Sequence, residues 1–402
     1  MNHQEIGSKQ ELFISSGVIS PGNYIFLPNG TRIYNKLLDF VKKEYYRRDY
    51  QEVITPILIK NKLWETSGHW EQYKENMFVL SVDNKEEVDY SICPMNCPKA
   101  CWIFDLKPKS YKELPLRIAD FGMLHRKELS GSLNGIFRTQ KFSQDDSHSF
   151  CMESQIESEV ESCLDFLDYV YNKFGFQYEL ELSTRPEKYM GELELWDKSE
   201  KQLENSLDKF TLQKNKTWKL NKFDGAFYGP KIDIHIKDSQ GRSHQCGTIQ
   251  LDFQLPVRFD LKYVCDKGEF KRPVIIHKAI YGSFERFIGI ITEHYQTKWP
   301  LWINPNQIII LPISEKINDY AKKIFGLIKN KGYYIDIDDS DRKLDKKIRE
   351  AQIIQYNYIL VVGQKEMDSD NINVRYRDNT DKKILSIKEL LKEIKENIKK
   401  FQ

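Results

Sequence analysis

The pattern of hydrophobic and polar positions predicts a first stretch of strands and helices that ends near residue 295. Helical spacing of apolar residues predicts helices at residues 31–45, 157–174 and 284–295. Extended patterns predict strands at residues 51–55, 116–121, 137–142, 147–151, 226–236, 245–253 and 274–281. A loop containing glycine and serine is expected at residues 127–135.

Beyond this stretch the pattern changes. Residues 299–305 contain two prolines and are typical of a linker. Predicted strands at residues 308–311, 333–337, 358–362 and 372–376 then alternate with predicted helices at residues 315–329, 341–355 and 387–400. This alternation predicts a small, open α/β domain at the end of the chain.

Composition narrows the class of protein. The 402 residues predict two or three domains, and the net charge of +2 neither demands nor excludes a nucleic-acid partner. No run of about 20 apolar residues occurs, so no membrane span is expected. The polar, partly acidic start is not typical of a signal or transit sequence, and seven scattered cysteines indicate a reducing compartment. A cytoplasmic protein is expected.

An arginine- and glutamate-bearing hairpin is the first candidate for chemistry. Its parts are residues 117–121, 125–128 and 138–142. Arg126 could clamp a phosphate, because guanidinium matches phosphate oxygens bidentately, and Arg138 could reach a second one. Glu128 could accept from an adenine amino group, and Phe142 could stack on the base. The alternative is a surface hairpin with incidental charges, and these residues alone leave both interpretations open.

A glycine turn supplies the second candidate. Gly282 follows a predicted strand and precedes a predicted helix, so Arg286 falls on the first helical turn. A phosphate or an adenine face is a natural neighbour there. An ordinary helix start with adjacent charges explains the same residues.

Three possible metal ligands form the third candidate: Cys97, His148 and His277. They are far apart in the chain, so their spacing gives no zinc signature. His277 lies in an apolar strand, where a histidine is usually just a satisfied core residue. The residues alone therefore support a metal site only weakly.

Taken together, the segments resemble the class II aminoacyl-tRNA synthetases, and the threonyl-tRNA synthetases most closely. Residues 116–128 continuing to 142–148 resemble motif 2, residues 279–289 resemble motif 3, and the helix and strand ending at Pro56 are similar to motif 1. Three further strings match, at residues 182–188, 226–231 and 245–253. The resemblance runs from about residue 5 to the end, and so many strings in one order exclude chance.

The resemblance implies a fold and an activity. The fold is an α+β catalytic domain, an antiparallel sheet with helices, over residues 1–302, followed by a small α/β, Rossmann-like anticodon-binding domain over residues 303–402. The activity is ATP-dependent activation of threonine and its transfer to the 3′ end of tRNA(Thr). A homodimer formed through motif 1 is also implied.

The resemblance also implies roles for individual residues. In the ATP site, Arg126 binds the α-phosphate, Arg138 holds the γ-phosphate end, Glu128 contacts adenine, Phe142 and Arg286 cover its two faces, and Lys231 and Gln250 lie nearby. Around threonine it places Gln144, Asp146, Tyr228 and Gln245. Cys97, His148 and His277 bind one Zn²⁺ per subunit with an open fourth position, and Mg²⁺ accompanies ATP. His69 is a proton-transfer candidate near the tRNA 3′ end, and Glu366 and Arg375 read the anticodon.

The sequence departs from the family pattern at several places. Lys99 and Ala100 stand where Gly-His is usual, Gln140 and Lys141 where Arg-Gly is usual, and Asn134 where His is common. In the last domain, Gln355 replaces a common Arg and Asp341 a common Asn. Weaker ATP or tRNA contacts and looser anticodon reading are therefore expected. The chain begins where the catalytic domain begins, so we expect no hydrolysis of Ser-tRNA in cis.

Two other functions remain as alternatives. One is a non-catalytic paralogue that binds tRNA or an amino acid; loss of Arg126, Arg286 or a zinc ligand would favour it, and all are present. The other is a neighbouring enzyme that activates proline or serine. The three possible zinc ligands and Asp146 argue against that enzyme.

Overall fold

The computed structural model describes residues 1–80, 89–238, 241–379 and 381–401. Its backbone divides into two compact units. The larger comprises Ser16–Asn23 and Val41–Ile290, and the smaller comprises Met1–Ser15, Tyr24–Phe40 and Ile291–Gln402. The division falls within two helices, Pro28–Tyr46 and Phe284–Tyr295. The domain boundary between residues 302 and 303 stays a prediction.

An eight-stranded sheet forms the centre of the larger unit. In chain order its strands are β1 (Gln51–Val53), β2 (Leu116–Asp120), β3 (Asp146–Cys151), β4 (Tyr178–Ser183), β5 (Trp218–Asn221), β6 (Lys231–Lys237), β7 (Ser243–Asp252) and β8 (Val274–Ala279). Their order in space is β5-β4-β6-β7-β8-β3-β2-β1. Only the pairs at the two edges, β4 with β5 and β1 with β2, are parallel. The predicted antiparallel sheet is confirmed.

Apolar side chains hold this sheet against its helices. β8 is buried along five of its six residues, and helix Ile156–Phe174 keeps an apolar face buried until Gly175 ends it in the left-handed conformation. The unit's other helices are Asn61–Ser67, His69–Tyr73, Cys97–Asp105, Leu193–Lys214 and Gln254–Arg258. Short strands flank the sheet: Leu58–Lys60, Tyr90–Ile92 and Val79–Leu80; Met123–His125 with Lys141–Ser143; and Lys109–Ser110, Tyr263–Val264 and Phe270–Lys271.

The smaller unit contains a five-stranded sheet. Its order is Ile335–Ile337, Ile308–Pro312, Tyr358–Val362, Asn371–Tyr376 and Lys382–Ser386, with the first three strands parallel and the last two antiparallel. Its helices are His3–Lys9, Asn318–Lys329, Leu344–Ile354, Gln364–Asp368 and Ile387–Lys399, and a hairpin joins Phe13–Ser15 to Tyr24–Phe26. Alternate residues of strand Ile308–Pro312 belong to two cores, one on each face of the sheet. The predicted α/β architecture is confirmed.

Some element predictions were wrong. Residues 226–230 form a turn rather than the start of a strand, closed by a hydrogen bond from the backbone N–H of Gly229 to Ala226 O at 3.2 Å. Gly229 lies so close to Leu251 that an added Cβ would be 1.8 Å from its carbonyl oxygen. The strand predicted at 137–142 starts only at Lys141, after a 3-10 turn at Gly135–Phe137. The predicted linker is largely buried, with Trp299 fully covered. Helix Leu193–Lys214 was not predicted.

Among the described residues, no helix combines the length and the hydropathy needed to cross a membrane.

Candidate active site

A cavity of about 350 Å³ lies over β3, β7 and β8 in the larger unit. It brings together most of the predicted site residues. Those lining it are Cys97, Arg126, Glu128, Arg138, Phe142, Gln144, Asp146, Tyr228, Gln245, Gln250, His277 and Arg286. Three predicted residues of the same unit, His69, His148 and Lys231, do not line it.

A buried Cys/His/His cluster lies at one side of the cavity. The antiparallel register of β3 and β8 places His148 directly opposite His277, with ring centroids 4.7 Å apart. Cys97 is the first residue of helix Cys97–Asp105. One sulfur or nitrogen atom from each of the three residues lies within 4.8 Å of the other two. Sheet pairing therefore assembles a cluster that chain spacing could not reveal.

The surroundings of the cluster fit a metal ion. Nε2 of His148 is buried and has no hydrogen-bond partner among the described residues, although buried polar atoms are rarely left unpaired. Burial, and then His277, lowers the pKa of His148, so its ring is neutral and able to donate an electron pair. Nε2 of His277 lies 2.9 Å from Oδ2 of Asp252, a pairing that orients metal-binding histidines. One thiol and two imidazoles are a donor set suited to zinc.

Asp146 supplies an acidic group beside the cluster. It begins β3, two residues before His148, and lies opposite Asp120 of β2. Burial raises the pKa of Asp146 to about 6, against the opposing influence of His277 and the nearby Asn96 amide. A carboxylate in this position can accept a hydrogen bond from a small hydroxyl group in the cavity.

The predicted hairpin forms and turns its charges toward the cavity. Strand Lys141–Ser143 pairs with Met123–His125, and the backbone N–H of Arg126 donates to Gln140 O at 2.8 Å. The guanidinium carbon of Arg126 lies 5.0 Å from the centroid of the Phe142 ring. Arg138 and Glu128 pair at 2.8 Å. A ligand that Glu128 and Arg138 contact at two different places would have to separate these two side chains.

The glycine turn places Arg286 on another wall. Gly282 has φ +72°, and an added Cβ would lie 2.3 Å from Cys246 O, so only glycine fits. Ser283 Oγ accepts from the backbone N–H of Arg286 at 3.0 Å. The guanidinium donates to the carbonyl oxygens of Phe137 and Gln245 at 3.0 and 2.9 Å. These bonds fix the orientation of its planar group and leave other N–H donors for a ligand.

Asp233, which the sequence analysis did not single out, holds several polar side chains next to the cavity. Asp233 Oδ2 pairs with Lys231 Nζ at 2.7 Å and accepts from Ser183 Oγ at 2.8 Å, while Oδ1 accepts from the amide of Gln245. Lys231 is therefore held by Asp233 and does not line the cavity. Only one feature of the sequence pointed to Asp233: it is two residues from Lys231, so both side chains lie on one face of β6.

Two residues that line the cavity, Tyr228 and Gln250, hydrogen-bond to each other. Tyr228 Oη donates to Gln250 Oε1 at 3.1 Å, and Gln250 Nε2 donates to Gly229 O at 3.2 Å. Gln144 forms an isolated bridge with Ser283 of the glycine turn. These contacts leave polar groups from several elements facing one volume.

His69 lies outside this volume. It is 2% exposed, and its Nδ1 lies 2.8 Å from Ser67 Oγ. Burial lowers the pKa of His69 to about 4. Its Nε2 is buried and finds no hydrogen-bond partner in the part of the chain that the structure describes. The ring is therefore neutral at neutral pH, and its Nε2 is left without a partner among the described residues.

The predicted anticodon residues belong to the smaller unit. Glu366 Oε2 accepts from the backbone N–H of Gly363 at 3.0 Å and so caps its own helix. Arg375 lies opposite Ile359 in the sheet, and its buried Nε has no hydrogen-bond partner among the described residues. Glu366 has a structural role already, whereas Arg375 retains an unused donor.

Comparison with known families gives two matches. The family described as "tRNA synthetase class II core domain (G, H, P, S and T)" matches residues 78–295. The family described as "Anticodon binding domain" matches residues 307–397. The two matches follow the order that the sequence predicted.

Curated relatives carry threonine-specific names. The chain is similar to the probable threonine–tRNA ligase 1, cytoplasmic, of Dictyostelium discoideum, with 54% identity over 100% of this chain and 56% of the relative. It is also 53% identical to the human threonine–tRNA ligase 1, cytoplasmic, over 94% of this chain and 52% of the relative. The chain thus spans about half the length of the curated relatives it matches.

Solved structures agree in fold. A crystal structure of the RNA binding domain of threonyl-tRNA synthetase from Cryptosporidium parvum superposes with a TM-score of 0.94 at 46% identity, covering 98% of each chain. A putative threonyl-tRNA synthetase from Aeropyrum pernix, at 24% identity, shares the fold with a TM-score of 0.85 over 100% of this chain and 97% of that one. The chain therefore belongs to the threonyl-tRNA synthetase family of the class II aminoacyl-tRNA synthetases.

Proposed function

We propose that this chain works as a threonine–tRNA ligase. It activates threonine with ATP to threonyl-adenylate and transfers the threonyl group to the 3′ end of tRNA(Thr). The observation that carries this proposal is the cluster of Cys97, His148 and His277 at one side of a cavity that Asp146, Arg126 and Arg286 line. The threonine-specific names of the relatives support the choice of amino acid.

Arginines carry out the ATP side of the reaction. A carboxylate oxygen of threonine attacks the α-phosphorus, and the bond to pyrophosphate breaks. This step needs positioning and charge neutralisation more than a strong base. Arg126 holds the α-phosphate, Arg138 the γ-phosphate end, and Arg286 covers adenine opposite Phe142. Glu128 contacts the adenine amino group, Gln250 and Lys231 support the site, and Mg²⁺ accompanies ATP as part of the substrate.

The Cys/His/His cluster selects the amino acid. Cys97, His148 and His277 would hold one Zn²⁺ per subunit, with Asp252 orienting His277. When bound, zinc would have its fourth position open and could expand to five ligands, so that both the amino and the hydroxyl group of threonine could bind it. Asp146 accepts the hydroxyl proton, and Gln144, Tyr228 and Gln245 surround the rest of the amino acid. Valine has the same shape but no hydroxyl, so it leaves Asp146 without its hydrogen bond.

The remaining assignments concern tRNA and assembly. His69 takes part in proton transfer near the tRNA 3′ end, supported by its unused Nε2. Arg375, with its unused donor, reads the anticodon together with Glu366 in an anticodon-binding domain that starts at residue 303. We infer a cytoplasmic protein, in line with the names of the Dictyostelium discoideum and human relatives.

A homodimer through motif 1 belongs to the same proposal. β1 is the outermost strand of its sheet among the described residues, and Ile54, which follows it, is 93% exposed. Ile57 and Leu58 are exposed as well. An unpaired strand edge beside exposed apolar side chains is a surface suited to a second copy of the chain.

Amino-acid-dependent exchange between ATP and pyrophosphate tests the function. We expect strong exchange with threonine, exchange with serine lower by roughly 10–200-fold, and exchange with valine lower by about 10⁴-fold or more. Serine lacks one methyl group, whereas valine leaves buried polar groups unpaired. Removing zinc with a chelator should abolish exchange, and adding zinc back should restore it.

The opposite results would redirect the assignment. Exchange with no amino acid, in folded and zinc-loaded protein, would favour the non-catalytic paralogue that binds tRNA or an amino acid. Equal exchange with threonine and valine would show that the Cys/His/His cluster does not select the amino acid.

A further inference from the structure

A largely buried ion pair connects two walls of the cavity. Lys141 Nζ lies 3.0 Å from Glu285 Oε1, and the two side chains are 29% and 3% exposed. The second carboxylate oxygen of Glu285 accepts from the backbone N–H of Ser143 at 2.9 Å. One carboxylate therefore bonds to both residues that flank Phe142.

On the other wall, Glu285 directly precedes Arg286 at the start of helix Phe284–Tyr295. The guanidinium of Arg286 is itself tied to two carbonyl oxygens. Any shift of Glu285 against strand Lys141–Ser143 therefore changes the distance between the Phe142 ring and the Arg286 guanidinium.

The strand is held from a second direction too. Asn23 Oδ1 accepts from the backbone N–H of Lys141 at 2.6 Å. The backbone of Lys141 is thus fixed by one segment while its side chain reaches the helix. This leaves the ammonium group as the adjustable part of the connection.

We infer that Lys141 is a positioning residue for ATP, whose contact with Glu285 sets the spacing between the Phe142 ring and the Arg286 guanidinium. The inference rests on the proposed function, in which these two groups cover the two faces of adenine. Lys141 does not line the cavity, so it acts through its neighbours rather than on the nucleotide.

The electrostatics of Glu285 explain why a cation is needed at this place. Burial raises the pKa of Glu285, and the charge of Lys141 is the strongest influence opposing that rise. Without Lys141, a buried carboxylate retains the Ser143 N–H but loses its counter-ion. A buried charge that loses its partner is costly, so the carboxylate would take up a proton or move toward water. Either response loosens the connection between the walls.

The contacts predict an effect confined to one substrate. Neither Lys141 nor Glu285 bonds to a side chain assigned here to threonine or zinc, in the hydrogen bonds and ion pairs of the described residues. Changing Lys141 should therefore alter the KM for ATP and leave the KM for threonine unchanged. A general loss of folding would instead lower the active fraction and reduce kcat.

The test measures ATP–pyrophosphate exchange with each substrate varied in turn. We expect Lys141→Met to raise the KM for ATP about tenfold, with the KM for threonine within about twofold of the unchanged protein. Lys141→Arg keeps the charge and should restore the KM for ATP to within about threefold. The matched control is Lys209→Met, which removes an exposed lysine from its pair with Glu161 at 2.7 Å and should leave both KM values unchanged.

Each outcome has a defined meaning. A normal KM for ATP in a folded Lys141→Met protein, or equal rises for both substrates, would overturn the inference. If that variant does not fold, the double variant Lys141→Met/Glu285→Gln removes the unpaired charge and should fold, still with a raised KM for ATP; a normal value there would also overturn the inference. Absence of exchange in the unchanged protein would instead defeat the proposed function.

Discussion

Asp252 shows at the scale of one residue what the folded chain adds to its sequence. It is fully buried; Oδ2 lies 2.9 Å from His277 Nε2, and Oδ1 accepts from the backbone N–H groups of Gln254 and Leu255. The resemblance assigned no role to it. An aspartate at the end of a strand is common, and only the pairing of β7 with β8 brings it to His277.

We expect Asp252→Asn to weaken zinc binding by roughly 10–100-fold, because the anion that orients His277 is lost. Titration against a chromophoric chelator measures this affinity. Asp260→Asn, a change at an exposed carboxylate with lysine and arginine partners, is the control and should bind zinc normally. Equal affinities of both variants would show that Asp252 does not support a metal ligand.

His69 leads to a prediction about pH. Burial holds its folded pKa at about 4, below the ordinary value of 6.5. Between these two values the unfolded chain binds a proton that the folded chain does not, so the free energy of unfolding falls as the pH is lowered through this range. At pH 7 both states are neutral and the penalty is absent. The penalty reaches about 3 kcal/mol near pH 4.

His69→Gln should remove that penalty. Urea unfolding of the unchanged protein and of the variant from pH 7 to pH 4 should show their difference shifting in favour of the variant by up to about 3 kcal/mol. His235→Gln, at a partly exposed position on β6, serves as the control. A difference that stays constant with pH would mean that His69 is not held neutral in the folded protein.

At the scale of elements, periodicity predicted most strands and long helices, but it could not show how they pair. Helix Phe284–Tyr295 agrees with its predicted bounds. The position of His148 opposite His277 could not be predicted, because register depends on contacts between distant segments. Helix Leu193–Lys214 was missed because Ser199 and Ser206 occupy its buried face, where their hydroxyl groups bond to carbonyls one turn earlier.

The turn at Gly282 allows a test at this scale. Gly282→Ala meets both a left-handed φ and a Cβ contact of 2.3 Å with Cys246 O. We expect it to lower the free energy of unfolding by roughly 3 kcal/mol or more and to weaken ATP binding through Arg286. Gly268→Ala has φ +79° with no atom within 4 Å, so it isolates the backbone strain and should cost only about 1 kcal/mol. Similar losses in urea unfolding would exclude the clash as the cause.

At the scale of the whole molecule, segments from the start and the end of the chain form one compact unit. The predicted boundary separates residues 1–302 from 303–402, whereas the smaller compact unit also contains Met1–Ser15 and Tyr24–Phe40. Within that unit, the Arg32 guanidinium carbon lies 4.7 Å from the centroid of the Tyr334 ring and Trp299 Nε1 donates to Gln10 at 2.8 Å. No local pattern reveals such long-range contacts.

His3 tests whether the first residues stabilise this unit. Its Nδ1 and backbone N lie 2.8 and 3.0 Å from Glu293 Oε1, and the Glu293 side chain is fully buried. We expect His3→Ala to destabilise the unit by about 3 kcal/mol, since a buried carboxylate loses a partner. Thermal unfolding followed by calorimetry measures the loss, with the exposed Lys9→Ala as the control. An unchanged transition would mean that the N-terminal helix is only loosely attached.

The position of His148 opposite His277 also has a practical consequence for preparing the protein. A slip of one residue between β3 and β8 would turn one histidine to the opposite face of the sheet, and the two remaining donors would hold an ion far more weakly. If zinc binds as proposed, its molar ratio to chain counts the molecules whose central strands have paired in the native register. A batch of low activity but full zinc content then has a fault in its chemistry, whereas one poor in zinc after exposure to excess metal has a fault in its folding.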